Sequence, residues 1–197
     1  MATDVSMCSG ALLILGANPI NSFDDSANLP RAKLASNLWP LFRDWFLRSH
    51  PWNAATKYVL LAPEVGAPPF DYTYQFLLPD DWLRTLQIGE RGCPVDFKPV
   101  GRKLYCDENP LPLVYIARVN EGTWDTAMQF AAMEGMAALM AYAVTQSQAV
   151  ADSHFNKFSM MMKGVRAVDG QDAPPEQLGD FRLFASRFSS GFPSISG

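Results

Sequence analysis

The sequence is poor in metal ligands and in excess positive charge. Its 197 residues contain two histidines and three cysteines, with no CxxC and no HxxxH spacing. Zinc needs its ligands clustered, and His50 and His154 lie far apart, so no zinc site is expected. No GxGxxG, GxxxxGK[ST] or GxSxG occurs, which leaves nucleotide binding and α/β-hydrolase chemistry without support. Sixteen Lys and Arg stand against twenty Asp and Glu, for a net charge of −4. No domain-wide basic field exists to neutralise phosphates, so tight binding to duplex nucleic acid is disfavoured. The start, Met1 to Val5, has no basic stretch, and the apolar run Ala11–Leu15 is too short to cross a bilayer. A soluble chain without a secretory leader is the expectation. Cys8, Cys93 and Cys106, odd in number and widely spaced, suit reduced thiols better than a disulfide framework.

Aromatic side chains are abundant. Thirteen Phe, five Trp and six Tyr are more than a lone domain of this size needs inside. Part of that surface is expected to meet a partner, because exposed aromatic patches mark interfaces. The length suits one substantial domain or two small modules that share a core.

Periodicity divides the chain into three stretches. Val5, Cys8, Leu12 and Leu15 recur on one helical stripe, stopped by Gly16 and Pro19. A second helix is predicted from about Ala27 to Ser49, with Asp24, Asp25 or Ser26 as cap and Leu34, Leu38, Leu41 and Trp45 as its apolar face. Asp44 and Arg48 have the i,i+4 spacing of an ion pair. Pro30 suits the first turn, whereas Pro40 is expected to kink or split the helix. His50-Pro51-Trp52-Asn53 closes it.

The middle alternates with a period of two. Strands are predicted at Thr56–Ala62, around Tyr72–Leu78, and at Arg84–Ile88, Val95–Val100, Lys103–Cys106 and Leu113–Val119. Gly101-Arg102 is a tight turn, and Pro79 to Leu83 reads as a short helical turn. Helical period returns after Gly122, with Thr123 as N-cap. Ala127–Val144 is apolar on nearly every side and so must be enclosed by other elements or neighbouring subunits. Phe155, Phe158, Met162 and Val165 form a further stripe. From Asp169 the pattern lapses into Gly, Pro and Ser, yet Phe181, Phe184, Phe188 and Phe192 stand there beside Arg182 and Arg187. Such a segment resembles one that orders on binding. The alternative is a helix on its own domain, since Phe181, Phe184 and Phe188 keep helical spacing.

Candidate catalytic groups are sparse. A Cys–His nucleophile would have to be assembled from Cys8, Cys93 or Cys106 with His50 or His154; both histidines read as structural or surface residues. Carboxylate pairs occur at Asp24-Asp25, Asp80-Asp81 and Asp107-Glu108. Capping explains the first two and a turn the third, without hydrolysis.

Several segments together resemble a known family. Leu12 to Gly16 (LLILG) is followed by Pro19 to Asp25 (PINSFDD), then by Arg43-Asp44, Leu47-Arg48 and His50-Pro51-Trp52-Asn53. Downstream come Tyr74 to Arg84 (YQFLLPDDWLR), Ala131 to Asp152 with Thr145-Gln146-Ser147, and Arg166 to Asp169. In this order, over about residues 5–188, the chain resembles podovirus tail tubular protein A, a head-to-tail adaptor family. The His-Pro-Trp-Asn close and the Leu-Pro-Asp-Asp turn are its most specific pieces. Ala54 departs from the pattern, standing where an aromatic is expected.

The resemblance implies an α+β fold: a helical bundle from both chain ends, an inserted antiparallel β-rich module, and an extended C-terminal arm. Its boundaries would be residues 1–55, 56–120, 121–168 and 169–197. It implies a virion protein at the capsid portal vertex, assembled in the host cytoplasm as a ring, usually of twelve copies. The arm, with Phe181, Arg182, Phe184, Arg187, Phe188 and Phe192, would grip the portal protein. The β module would face the tail nozzle protein, and genomic DNA would pass through the lumen without sequence-specific contact. His50, Pro51, Trp52, Asn53, Pro79, Asp80 and Asp81 would be structural. No catalytic residue, cofactor or metal belongs to this picture. Two other readings compete: a tail-associated glycan hydrolase using Asp80, Asp81 or Asp107, and a free-standing binding module or assembly chaperone.

Overall fold

The computed structural model describes residues 2–90 and 95–172. These residues form an α+β fold of four α-helices and six strands. The helices are α1 (Asp4–Ile14), α2 (Leu29–Arg48), α3 (Thr126–Thr145) and α4 (Gln148–Asp172). The strands are β1 (Thr56–Leu61), β2 (Tyr74–Leu77), β3 (Trp82–Ile88), β4 (Phe97–Val100), β5 (Lys103–Cys106) and β6 (Leu111–Ala117). They pair as two small antiparallel sheets, in the orders β1-β6-β3 and β2-β5-β4. The chain divides into two compact units. The first is Met1–Lys57, Asp81–Arg84 and Tyr115–Asp172; the second contains Tyr58–Asp80 and Thr85–Val114.

In the first unit, local chemistry sets the helix ends. Thr3 and Ser6 form a reciprocal capping box at the start of α1, which satisfies amides that the first turn leaves unpaired. At its end Gly16 takes a φ of 70°, and the Ala17 amide donates to the Leu12 carbonyl at 2.9 Å, a glycine-ended stop. Met7, Cys8, Ala11 and Leu12 are buried, so the expected stripe is right at its centre.

Helix α2 is not split at Pro40, which lies inside one continuous element, and it corrects two further expectations. Asp44 does not take Arg48: it accepts two hydrogen bonds from Arg118, at 3.0 and 2.6 Å. The buried face is Ala32, Ala35, Trp39, Phe42, Phe46 and Leu47, not Leu34, Leu38, Leu41 and Trp45. Leu41 is 73% exposed and Trp45 54%. Both faces of this helix are apolar, and the one carrying the stackable rings went inside. Phe46 stacks on Trp52 and Trp124 at 5.1 and 5.5 Å, and on Phe42 at 5.8 Å. Such ring pairs add to the gain from burial alone.

Helix α3 is capped by Asp125, which accepts from the Met128 amide at 2.8 Å. Thr123, the expected cap, lies in a short 3-10 turn instead, its hydroxyl donating to the Asn120 carbonyl. By length and composition α3 is apolar enough to cross a membrane. Here it packs against α1, α2 and α4, burying Met128, Ala131, Ala132, Met136, Ala137, Met140 and Ala141. Phe130, Leu139 and Tyr142 remain more than half exposed. A left-handed Gln146, φ 55°, separates α3 from α4. Helix α4 buries Phe158, Met162, Val165 and Asp169 but leaves Phe155 62% exposed. The helical pattern therefore continues past Asp169 to Asp172, where the sequence reads as patternless.

In the second unit, β4 and β5 form a hairpin whose register pairs Val100 with Lys103. Gly101 takes the left-handed φ of 59° that the two-residue turn needs at that point. Phe76, Leu78, Leu104, Cys106, Leu111 and Leu113 are buried. Pro79 to Leu83 is not helical: after a turn, Trp82 already belongs to β3. Proline favours either outcome there, and pairing within the sheet decides.

Candidate interaction surface

A groove open to solvent on the first unit follows from the orientation of α2. With Phe42 turned inward, Leu41 and Trp45 stand at the rim of a space of about 350 Å³. Gly135, Ala138 and Leu139 of α3 and Phe155 and Phe158 of α4 complete its lining. Among the described residues, no charged side chain lines it. Gly135 keeps the groove floor tightly packed: a Cβ there would stand 2.6 Å from the Phe42 ring and 2.8 Å from that of Phe158. Trp45 and Phe158 face each other with ring centroids 6.2 Å apart.

Two buried carboxylates fasten α4, one near each end. Glu134 of α3, only 2% exposed, accepts from His154 Nδ1 at 2.7 Å and from Lys157 Nζ at 2.9 Å. Toward the end of α4, Asp169 meets the His-Pro-Trp-Asn segment. His50 Nε2 lies 3.2 Å from Asp169 Oδ2, the Asn53 amide donates to Oδ1 at 3.1 Å, and Asn53 Nδ2 donates to the Asp169 carbonyl. Trp52 is fully buried and donates from Nε1 to the Phe46 carbonyl at 3.0 Å, while Pro51 stays exposed. Burial lowers the His50 pKa and outweighs the Asp169 carboxylate, which acts the other way. A buried charge is tolerated only when paired and hydrogen-bonded, and both acids meet that condition.

The Leu-Pro-Asp-Asp segment is also held by side chains. Within the first unit, Asp81 accepts from Lys57 at 2.6 Å and from the Tyr115 hydroxyl at 2.9 Å. Burial pushes the Asp81 carboxyl up, but these hydrogen bonds and the Lys57 charge bring it below its ordinary value. Burial, then the bond to Asp81, pushes the Tyr115 phenol up to about 12. Within the second unit, Arg102 donates to the Pro79 carbonyl at 2.8 Å and to Asp80 at 3.2 Å. Asp107 accepts from the Thr73 amide at 2.7 Å. Each of these acids therefore has a structural bond of its own.

The cysteines offer no activated thiol among the described residues. Burial, reinforced by Asp4 and Glu121, pushes Cys8 up to about 12, and burial also raises Cys106. Cys93 lies outside the described residues. So do Phe181, Arg182, Phe184, Arg187, Phe188 and Phe192. Among the described residues, no group of three or more His, Cys, Asp or Glu is placed to hold a metal ion.

The second unit leaves a different apolar surface in water. On β1, Tyr58 and Leu60 are 80% and 61% exposed, two residues apart and hence on one face of the strand. Val65 and Phe70 in the loop that follows are exposed as well.

No family model and no curated protein matches this chain.

Sequence reasoning missed two things here. Asp169 extends the stripe Phe158, Met162, Val165 by one helical step, and that spacing marked it for burial. The groove had no such signal, because it depends on which of two apolar faces of α2 turned inward.

Proposed function

We propose that the chain is a structural head-to-tail adaptor subunit of the tail tubular protein A type. Its helices form a bundle, and its copies close into a ring, of twelve in the family it resembles. The ring sits between portal and tail nozzle in the virion, with DNA passing through the lumen. A mildly acidic wall, in keeping with the net charge of −4, repels DNA and suits a conduit. The reading assigns no catalytic residue and no cofactor.

The observation that carries it is the exposure of large apolar side chains at separate places. Tyr58, Leu60, Val65 and Phe70 lie in water on the second unit; Leu13, Phe130 and Met160 do so on the first. A head-to-tail ring needs two different complementary patches on each subunit, and one folded chain rarely leaves this much apolar surface unpartnered. The residues behind the resemblance also support it. His50 and Asn53 converge on Asp169, and Asp81 gathers Lys57 and Tyr115, so both motifs have structural work in a non-catalytic scaffold.

Electron microscopy of the purified chain mixed with portal tests the proposal. Rings stacked on the portal are expected. A chain that stays monomeric and leaves the portal bare sinks it.

A further inference from the structure

We propose that the second unit holds a site for an arginine side chain presented by a partner protein, on the β2-β5-β4 sheet. Strand alternation builds its floor. Leu104 and Cys106 of β5 are buried, so Tyr105 between them turns to the opposite face. Lys98 of β4 is its cross-strand partner, and Val100, the next residue but one, lies on that same face. Phe70, Asp71 and Tyr72 complete the lining from the loop before β2, around a space of about 240 Å³. Pockets for drug-sized ligands run to about 300–1,000 Å³, so this one suits a single side chain. The Tyr72 amide donates to the Phe70 carbonyl at 3.0 Å, with Asp71 between them at a φ of 72°. That tight three-residue turn brings two aromatic rings and a carboxylate to one wall.

Charge selects the occupant. Asp71 and Lys98 line the space, and Asp96 and Asp107 lie close enough for their fields to reach Tyr72. Partial burial, then Asp96, Asp71 and Asp107, push the Tyr72 phenol above its ordinary value. Lys103, on the same face of β5, is already paired with Glu64 at 2.6 Å. Asp71, Asp96 and Asp107 therefore outweigh Lys98, whose stem can line the space while its ammonium stays in water. Among the described residues, the Asp71 carboxylate has no hydrogen bond and no ion pair. An unpaired carboxylate beside aromatic faces fits a guanidinium group, which stacks on rings and takes a carboxylate through parallel N–H bonds. The compact, strongly hydrated ammonium of lysine matches such a wall less well. The inference concerns the second unit by itself and does not rest on the adaptor reading.

Titration of the full-length chain with Nα-acetyl-arginine amide at low salt, followed by tyrosine ring NMR, tests it. Nα-acetyl-citrulline amide, of the same shape without the charge, is the matched control. Saturating shifts of the Tyr72 and Tyr105 ring signals, assigned through Tyr72→Phe and Tyr105→Phe, are expected with the arginine probe alone. This contrast is read on the parent chain and needs no variant to fold. Asparagine tolerates the left-handed φ at position 71, so Asp71→Asn keeps the turn and is expected to weaken binding about fivefold. Lys98→Gln removes the opposing charge and is expected to tighten it about twofold. Equal shifts with citrulline, shifts that do not saturate, or an unchanged Kd in Asp71→Asn would each overturn the proposal. A portal pull-down of the same chains reads the adaptor function separately.

Discussion

Glu134 and His154 are joined across α3 and α4 by a 2.7 Å contact between Oε1 and Nδ1, with the carboxylate almost sealed from water. Lys157 completes the cluster from an exposed position. Because the acid is buried and its partners are less so, the cost of breaking the cluster depends on which side is removed.

Replacing both partners, His154→Ala with Lys157→Ala, strands the buried carboxylate and is expected to cost about 3–5 kcal/mol. Adding Glu134→Met to that background should restore most of it, since an apolar side chain of similar volume needs no partner there. Urea unfolding of the three chains checks this; a double variant as stable as the parent would refute it.

Acidification is expected to weaken the first unit in two stages. The folded His50 pKa lies below the ordinary 6.5, so the unfolded chain takes up its proton first. Stability then falls as pH drops through 6.5 and levels off below the folded value. Asp44 and Asp81 are held below the ordinary 3.8. Their contribution is present above that value and is lost as pH falls through the lower folded values. His50→Gln should flatten the upper limb and leave the lower one. Denaturation midpoints measured between pH 7.5 and 3 decide the matter.

Two glycines on neighbouring helices should respond oppositely to alanine. A methyl group added at Gly164 would meet nothing within 4 Å, so Gly164→Ala is expected to stabilise by about 0.5–1 kcal/mol through the unfolded state. At Gly135 the same methyl meets two phenyl rings, and overpacking of about 1–3 kcal/mol outweighs that gain. Thermal melts of both variants test the contrast, and equal shifts would contradict the packing described for the groove floor.

Tyr58→Ser with Leu60→Ser removes the apolar face of β1 at exposed positions. Surface changes of this kind alter stability by about 0.5 kcal/mol or less. On the adaptor reading, assembly with portal and nozzle is nonetheless expected to fail. Mass measurement of the variant, alone and with each partner, would separate lost assembly from lost folding.

Much of the fold is legible in the chain because it rests on local chemistry. The helical periods of α1, α2 and α3, Gly16 as the stop of α1 and Gly101 in its hairpin turn depend on near neighbours in sequence. Where long-range pairing competes, local signals misled. Pro79 opened a strand-bound turn rather than a helix, and Arg118, remote in sequence, took Asp44 from Arg48. Pro40 was carried inside α2, whose flanking turns are held by packing on both sides.

The amino-acid order by itself determined where helical and strand periods alternate, that Gly16 stops α1, and that more aromatic surface exists than one core consumes. Tertiary structure alone decided which apolar face of α2 turned inward, and with it that Leu41 and Trp45 rim a groove. Periodicity reports that a face is apolar. Only the rings of Trp52, Trp124 and Phe158, brought in from other elements, select which of two such faces is covered.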